Sequence, residues 1–247
     1  MVVDCLSSCE EGSFDPADFI RFENTIDLEN IKEILITEYG VKSDDISIKT
    51  KDGYYEIKLY INEKRKNDIQ KNENIKINKE IAERNIMIKG WKVLLKNNPT
   101  HDFYDKFIKK NKGKRNFKVQ HFHSTLDIHR GHLLADWFRE YLVPKDKLVD
   151  NELNHFFGKG NVDNIYYQTK EANCKTNITS GQWTFEEKVT KFLEKNTEGE
   201  VIYKIENIFV QGKSIGRIIL IYKRIDDYSD YLLSDHVFVP NALNGDY

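Results

Sequence analysis

Apolar residues recur along the chain at two spacings, which predict a mixture of helices and strands. Helical spacing occurs over residues 27–36, 77–95, 131–142 and 181–196. Strands are predicted over residues 46–61 and 117–123, where apolar and polar residues alternate, and over residues 201–210, 216–224 and 236–239. The turn Asp52-Gly53 divides the first alternating stretch into a β-hairpin. Together these patterns predict an α+β protein.

The chain is expected to divide near residue 98, where Asn97-Asn98-Pro99 interrupts the helical pattern. Residues 1–15 are small, polar and acidic and are expected to form a flexible tail. Residues 16–98 are expected to form a small α+β N-terminal region, and no motif in it indicates chemistry or a role. Residues 99–247 carry the candidate catalytic residues and are expected to form a second domain.

Composition excludes a disordered chain and a chain that binds nucleic acid through its overall charge. The hydrophobic fraction is 39% and the charged fraction 32%, which is typical of a soluble globular protein, and the net charge is −2. Contact with phosphates therefore requires a local basic face. The run 109–118 contains no acidic residue, and Lys112, Lys114 and Arg115 within it are the predicted nucleic-acid contacts.

The cysteines and the termini bear on localisation. Cys5, Cys9 and Cys174 are too few for a disulfide framework and suit a reducing compartment. No stretch reaches the roughly 20 apolar residues of a membrane span, and the first residues do not resemble a secretory signal. We expect a cytoplasmic protein, or one secreted by a route without a classical signal peptide, and no membrane association.

Candidate chemistry begins at the stretch Asp127-Ile128-His129-Arg130-Gly131-His132, which joins a strand pattern to a helix pattern. Phosphodiester hydrolysis needs an activated water and a cation to neutralise developing negative charge. A neutral histidine such as His132 can accept the proton of water near pH 7. A hard divalent cation keeps most of its waters, so one asparagine oxygen can suffice as its protein ligand. Asn173 is expected to lie on a helix facing the join.

Three segments carry a family resemblance. They are His129-Arg130-Gly131-His132-Leu133-Leu134-Ala135, Asn164-(x)3-Gln168-Thr169-(x)2-Ala172-Asn173 and Gly181-Gln182-(x)3-Glu186. In this order and spacing they resemble the DNA/RNA non-specific endonuclease family of the ββα-metal, or His-Me finger, fold, whose hallmark is Asp-Arg-Gly-His. The resemblance covers roughly residues 115–247. It implies a ββα-metal nuclease core, with a strand-helix finger backed by an antiparallel or mixed sheet.

The resemblance implies a role for each matched residue. His132 is the general base, and Asn173 is the protein ligand of one Mg²⁺ or Mn²⁺ ion. Glu186 holds a water bound to that ion, Asn164 positions the site and Arg130 neutralises phosphate charge. The implied activity is sequence-non-specific cleavage of DNA, with RNA as a second substrate, leaving 5′-phosphate ends.

The chain departs from the family at one position, because His129 stands where the family has aspartate. Asp127 lies two residues earlier, on the same face of a strand, and is the alternative source of polar support. Family members are often toxins, so the resemblance adds an immunity or inhibitor protein as a partner. Two other interpretations stay open. One is a catalytically silent nuclease-like module that binds nucleic acid or a protein, and the other is a zinc site formed by His121, His123 and His129.

Overall fold

The structure is a computed structural model that describes residues 28–49, 52–58, 73–109, 128–158, 161, 163–176 and 179–241. Several sequence predictions lie outside these residues. They are the flexible tail at residues 1–15, the thiols of Cys5 and Cys9, the basic residues Lys112, Lys114 and Arg115, the histidines His121 and His123, and the carboxylate of Asp127.

Five α-helices and nine strands make up the described part of the chain. The helices are α1 (Leu28–Tyr39), α2 (Arg139–Leu142), α3 (Asn151–Phe157), α4 (Lys170–Asn173) and α5 (Gln182–Lys195). The strands are β1 (Ile46–Lys49), β2 (Tyr54–Ile57), β3 (Ile75–Ile81), β4 (Ile86–Lys96), β5 (Ile128–His132), β6 (Ile165–Thr169), β7 (Glu200–Val210), β8 (Lys213–Arg224) and β9 (Leu232–Pro240). Short 3₁₀ turns occur at Ser43–Asp45, Ala82–Arg84, Asp136–Phe138 and Lys145–Lys147, and a π-helical turn at Tyr104–Ile108.

Seven strands form one antiparallel sheet, and two form another. The large sheet has the order β1-β2-β9-β8-β7-β4-β3, and β5 pairs with β6. The expected α+β class is confirmed. Strands from both sides of residue 98 lie in the large sheet, because β4 pairs with β7 and β2 pairs with β9. The expected boundary therefore falls within one continuous sheet.

The large sheet separates two hydrophobic clusters. Ile31 and Leu35 of α1 pack with Ile88 and Phe238 in the smaller cluster. The larger cluster contains the apolar face of α5, the segments that follow β5, and side chains of β7 and β8 that face α5 and these segments. The α5 residues in this cluster are Phe185, Val189 and Leu193. The four-residue spacing predicted over 181–196 is confirmed by their complete burial. This packing fixes β5 and β6 above the centre of the large sheet.

The helix predicted over residues 77–95 is wrong, because β3 and β4 form a hairpin there. Along β4, buried and half-buried residues alternate from Ile86 to Gly90, and Trp91 then shifts the pattern. Asn85 makes the turn with φ of 52°, a left-handed conformation that asparagine tolerates. Strand pairing with β7 dominates over the local helical spacing, because β4 lies inside the sheet with a neighbour on each side.

The helix predicted over residues 131–142 is also wrong in its first half. Gly131 and His132 belong to β5, and helical turns begin only at Asp136. The backbone of Leu133 and Leu134 is instead bonded to Asn164, which prevents it from entering a helix. Residues 164–177 contain the strand β6 before the predicted helix, which is confirmed as the single turn α4. No helix in the described part of the chain combines the length and apolarity needed to cross a membrane.

Candidate catalytic site

The candidate site is built on β5 and β6, followed directly by α4. In the antiparallel register His129 faces Gln168, Arg130 faces Tyr167 and His132 faces Ile165. Thr169 caps α4 by accepting a hydrogen bond from the Ala172 N–H. Strand β6 ends at this cap and α4 begins at the next residue, which brings Asn173 next to His129.

At position 131, a side chain from β6 occupies the space that a Cβ would fill. A Cβ built on Gly131 would lie 2.5 Å from Cδ and Oε1 of Gln168. Side chains contact at greater separations, so a side chain at position 131 would displace Gln168 from this place. The glycine of the Arg-Gly-His motif thus lets Gln168 reach Asn173.

His132 is held by the carbonyl of a neighbouring helix. Its Nε2 lies 2.6 Å from the Phe157 carbonyl oxygen. Because a carbonyl can only accept, Nε2 carries the proton, and the neutral ring therefore presents Nδ1 as a proton acceptor. Burial lowers the pKa of His132 from 6.5, and this lowering is the largest influence on it. The neutral form therefore predominates at pH 7.

Asn164 holds the two residues that follow His132. Its side-chain oxygen accepts from the Leu134 N–H at 2.8 Å, and its amide nitrogen donates to the Leu134 carbonyl at 3.0 Å. Its own carbonyl accepts from the Leu133 N–H at 2.7 Å. Asn164 is fully buried, so these bonds are shielded from water. The backbone that leaves β5 is thereby fixed.

Asn173 lies in a cluster of polar side chains with Gln168, His129 and Cys174. Gln168 Nε2 donates to Asn173 Oδ1 at 3.0 Å, and Asn173 Nδ2 lies 3.3 Å from His129 Nδ1. The Cys174 sulfur lies 3.5 Å from the same nitrogen of His129. His129 therefore contacts the predicted metal ligand directly. Cys174 is disulfide-bonded.

Glu186 lies in the core with Gln182 and Arg217. Gln182 Nε2 donates to Glu186 Oε1 at 2.5 Å and to the His132 carbonyl at 2.6 Å. Arg217 donates to the side-chain oxygen of Gln182. Burial raises the pKa of Glu186 from 4.5 to about 7, and Gln182 and Arg217 oppose the rise. Glu186 thus reaches the backbone of His132 through Gln182.

The predicted residues form two groups that β5 connects. His132, Asn164 and Glu186 belong to one group, and Asn173 and His129 belong to the other. Within the described part of the chain, no hydrogen bond joins His132 to Asn173. Arg130 lies between the two histidines on β5 and is half-buried.

Sequence reasoning missed Arg217 and gave Gln168 no role. Arg217 is a single charge in the apolar stretch 215–221 of β8, and such a charge in an otherwise buried strand is the signal that could have identified it. Gln168 is one of the oxygen candidates downstream of His132, four residues after Asn164, but this spacing assigns it no role. Its contact with Gly131 depends on the pairing of β5 with β6, which spacing does not reveal.

The side-chain oxygens of Asn173 and Gln168 suit a hard cation. Among the described residues, no group of three or more His, Cys, Asp or Glu side chains could hold a metal ion. Gln168 Oε1 is buried without a hydrogen-bond partner in this part of the chain, and Asn173 supplies a second amide oxygen. Oxygen donors and retained waters are the coordination that Mg²⁺ prefers, so these residues fit such an ion.

Comparisons of the chain with protein-family models, with curated proteins and with solved structures give no match. The candidate site therefore stands on its own residues and geometry.

Proposed function

We propose that this protein is a metal-dependent, sequence-non-specific endonuclease with a ββα-metal core formed by β5, β6 and α4. The observation that carries the proposal is the contact between His132 Nε2 and the Phe157 carbonyl at 2.6 Å. A ring held in this way has one tautomer and one free acceptor nitrogen. A general base for hydrolysis requires both properties.

In the proposed reaction, His132 Nδ1 accepts a proton from water as that water attacks the phosphorus atom of a phosphodiester. The bond between phosphorus and the 3′-oxygen breaks, and the leaving 3′-oxygen takes a proton from solvent water. The lowered pKa of His132 keeps the imidazole neutral and ready to accept at pH 7. Asn164 keeps the base in place, because it fixes the backbone of Leu133 and Leu134 immediately after it. Proton transfer to a positioned base contributes typically about 10²–10⁴-fold to such a rate.

Asn173 would hold one Mg²⁺ or Mn²⁺ ion through its side-chain oxygen, with Gln168 as the neighbouring oxygen donor. When bound, the ion supplies positive charge that offsets the negative charge developing on the phosphate. Arg130, between His129 and His132 on β5, would add a guanidinium for the same phosphate. Glu186 would support the site from the core, through Gln182 and the His132 carbonyl.

The proposed substrate is DNA, with RNA as a second substrate, and the proposed products carry 5′-phosphate ends. Lys112, Lys114 and Arg115 are the proposed phosphate contacts, which would carry no sequence information. An immunity or inhibitor protein is the proposed protein partner. Cytoplasmic residence, or secretion by a route without a classical signal peptide, belongs to the same proposal.

A second candidate function is binding of nucleic acid or a protein without cleavage. His129 favours it, because an imidazole contacts Asn173 where the family has a carboxylate. An imidazole carries no negative charge, so it stabilises a neighbouring hard cation less than a carboxylate does. This candidate predicts a shift of labelled DNA in a native gel and intact DNA afterwards.

The deciding experiment incubates purified protein with supercoiled plasmid and with structured RNA in Mg²⁺, in Mn²⁺ and in EDTA. We expect nicking and then degradation with either ion, none in EDTA, and products that a ligase can rejoin. Folded protein that leaves DNA and RNA intact with both ions would refute the nuclease proposal. Binding under those conditions would support the second candidate.

A further inference from the structure

Arg217 places a buried guanidinium against the backbone of the candidate catalytic strand. It belongs to β8 of the large sheet and is 3% exposed. Nη1 donates to the His132 carbonyl at 2.8 Å, and Nη2 donates to the Gly131 carbonyl at 3.1 Å. Nη2 also lies 3.4 Å from the Tyr166 carbonyl of β6. One planar group thus holds both strands of the small sheet.

The charge of Arg217 is balanced indirectly. Its Nη1 contacts the side-chain oxygen of Gln182, and the nitrogen of the same amide contacts Glu186. The Gln182 amide therefore links the Arg217 guanidinium to the Glu186 carboxyl group. A buried charge without a direct counter-ion is costly, and apolar side chains would fill the same volume at less cost. The bonds of the guanidinium to the candidate catalytic strand account for its presence in the core.

We propose that Arg217 is a positioning residue for the nuclease reaction. Its guanidinium and the Gln182 amide hold the peptide of His132 from the core side, and this determines where the imidazole meets the attacking water. This inference rests on the proposed function of His132. Two donors converge on the His132 carbonyl, Arg217 Nη1 at 2.8 Å and Gln182 Nε2 at 2.6 Å. The Phe157 carbonyl holds the ring from its other end.

Arg217 also influences the protonation of His132. Besides burial, the charged groups that act on the His132 pKa are Asp136, which raises it, and Arg217 and Arg139, which lower it; the bond to Phe157 also raises it. Removal of the Arg217 charge therefore raises the His132 pKa. The protonated, inactive ring then persists to higher pH, and the acid limb of the rate profile moves upward.

The test compares Arg217→Lys and Arg217→Gln with the wild type in kcat, in DNA affinity and in pH–rate profile. Lysine keeps the charge and loses the planar guanidinium. We therefore expect kcat to fall about 10²-fold, as it does when catalytic groups are displaced. DNA affinity and the acid limb of the pH–rate profile should be unchanged. Glutamine loses the charge as well, so we expect the same fall together with an acid limb at higher pH.

Arg224→Lys is the matched control, because Arg224 lies on the same strand and bonds to Glu200 at 2.9 and 2.6 Å, away from the site. We expect its kcat and acid limb to equal those of the wild type. If the Arg217 variants do not fold, Gln182→Met replaces them, since it removes the second donor to the His132 carbonyl while nearly conserving volume. A folded Arg217→Lys protein with the kcat of the wild type overturns this inference alone. The same result for Gln182→Met does so if the Arg217 variants do not fold. Absence of cleavage by the wild type overturns the proposed function, and this inference with it.

Discussion

The Nε2 atom of His132 lies 2.6 Å from the carbonyl oxygen of Phe157, in the last turn of α3. This relationship joins the end of β5 to a helix that begins 19 residues later in the chain. It determines which nitrogen of the ring carries the proton, and hence which one could take a proton from water.

The first prediction concerns the protonation of that ring. We expect ¹⁵N NMR of histidine-labelled protein to show His132 at pH 7 as the neutral tautomer with the proton on Nε2. Its pKa should lie below 6.5, because burial disfavours the charged form. Assignment of the resonance uses His132→Gln. A proton on Nδ1 at pH 7, or a pKa above 6.5, would contradict the assignment of Nδ1 as the acceptor.

The second prediction concerns Asn164. Asn164→Ala removes the partners of the Leu134 N–H and carbonyl, and each buried group left unpaired costs about 1–3 kcal/mol. We expect a lower free energy of unfolding in urea and a lower kcat, because His132 lies two residues before Leu134. Asn78→Ala, at an exposed position on β3, is the control and should change stability by no more than about 0.5 kcal/mol. Equal stabilities for the two variants would refute the role of Asn164.

The third prediction concerns the crowded contact between Gly131 and Gln168. Gly131→Ala places a methyl group 2.5 Å from Gln168 and should destabilise the protein by about 1–3 kcal/mol, typical of overpacking. Because the clash is with one side chain, Gln168→Ala should relieve it. In a double-mutant cycle measured by urea unfolding, the double variant should be more stable than the sum of the single effects predicts. Additive effects would show that the clash lies elsewhere.

The fourth prediction concerns Glu186 and pH. Its pKa is raised from 4.5 to about 7, so the folded protein binds a proton that the unfolded chain releases between these values. The stabilisation from this proton is fully present below pH 4.5 and is lost as pH rises to about 7. Relative to Glu186→Gln, which stays neutral, wild-type stability should therefore decline over this range by an amount on the order of 3 kcal/mol. Parallel stability curves for the two proteins would contradict the raised pKa.

The fifth prediction concerns the proposed cation. Asn173→Ala should raise the Mg²⁺ concentration that gives half-maximal cleavage by at least about tenfold, because the principal protein ligand proposed for the ion is lost. Asn151→Ala, at an exposed position in α3, should leave that concentration unchanged. An unchanged Mg²⁺ requirement in Asn173→Ala would exclude Asn173 as the ligand.

Local patterns predicted those elements whose spacing had a single interpretation. The helical spacing of α5 and the apolar residues of β7 and β8 leave little choice, and all three elements are confirmed. Residues 77–95 show helical spacing but form β3 and β4, because β4 pairs with β7, which lies more than a hundred residues away. Periodicity within one segment carries no information about such a distant partner.

In the candidate site, too, some residues could be predicted from the local sequence, and others depend on distant parts of the chain. The motif residues His132, Asn164 and Asn173 could be selected from their order and spacing. Arg217 could not be selected, because it reaches the His132 carbonyl only through the packing of β8 beneath β5. The environment of Glu186 could not be predicted either, because the two groups that lower its pKa lie in different places. Gln182 is a local neighbour, whereas Arg217 lies on a distant strand.

The proposal that His132 is a general base is tested most directly by one comparison. Wild-type protein and His132→Ala are incubated with plasmid DNA and Mg²⁺ at pH 7.5, and circular dichroism confirms that both are folded. We predict that the wild type degrades the plasmid and that the variant cleaves at least about 10²-fold more slowly, with unchanged DNA affinity. A folded His132→Ala protein that cleaves at the wild-type rate would contradict the proposal.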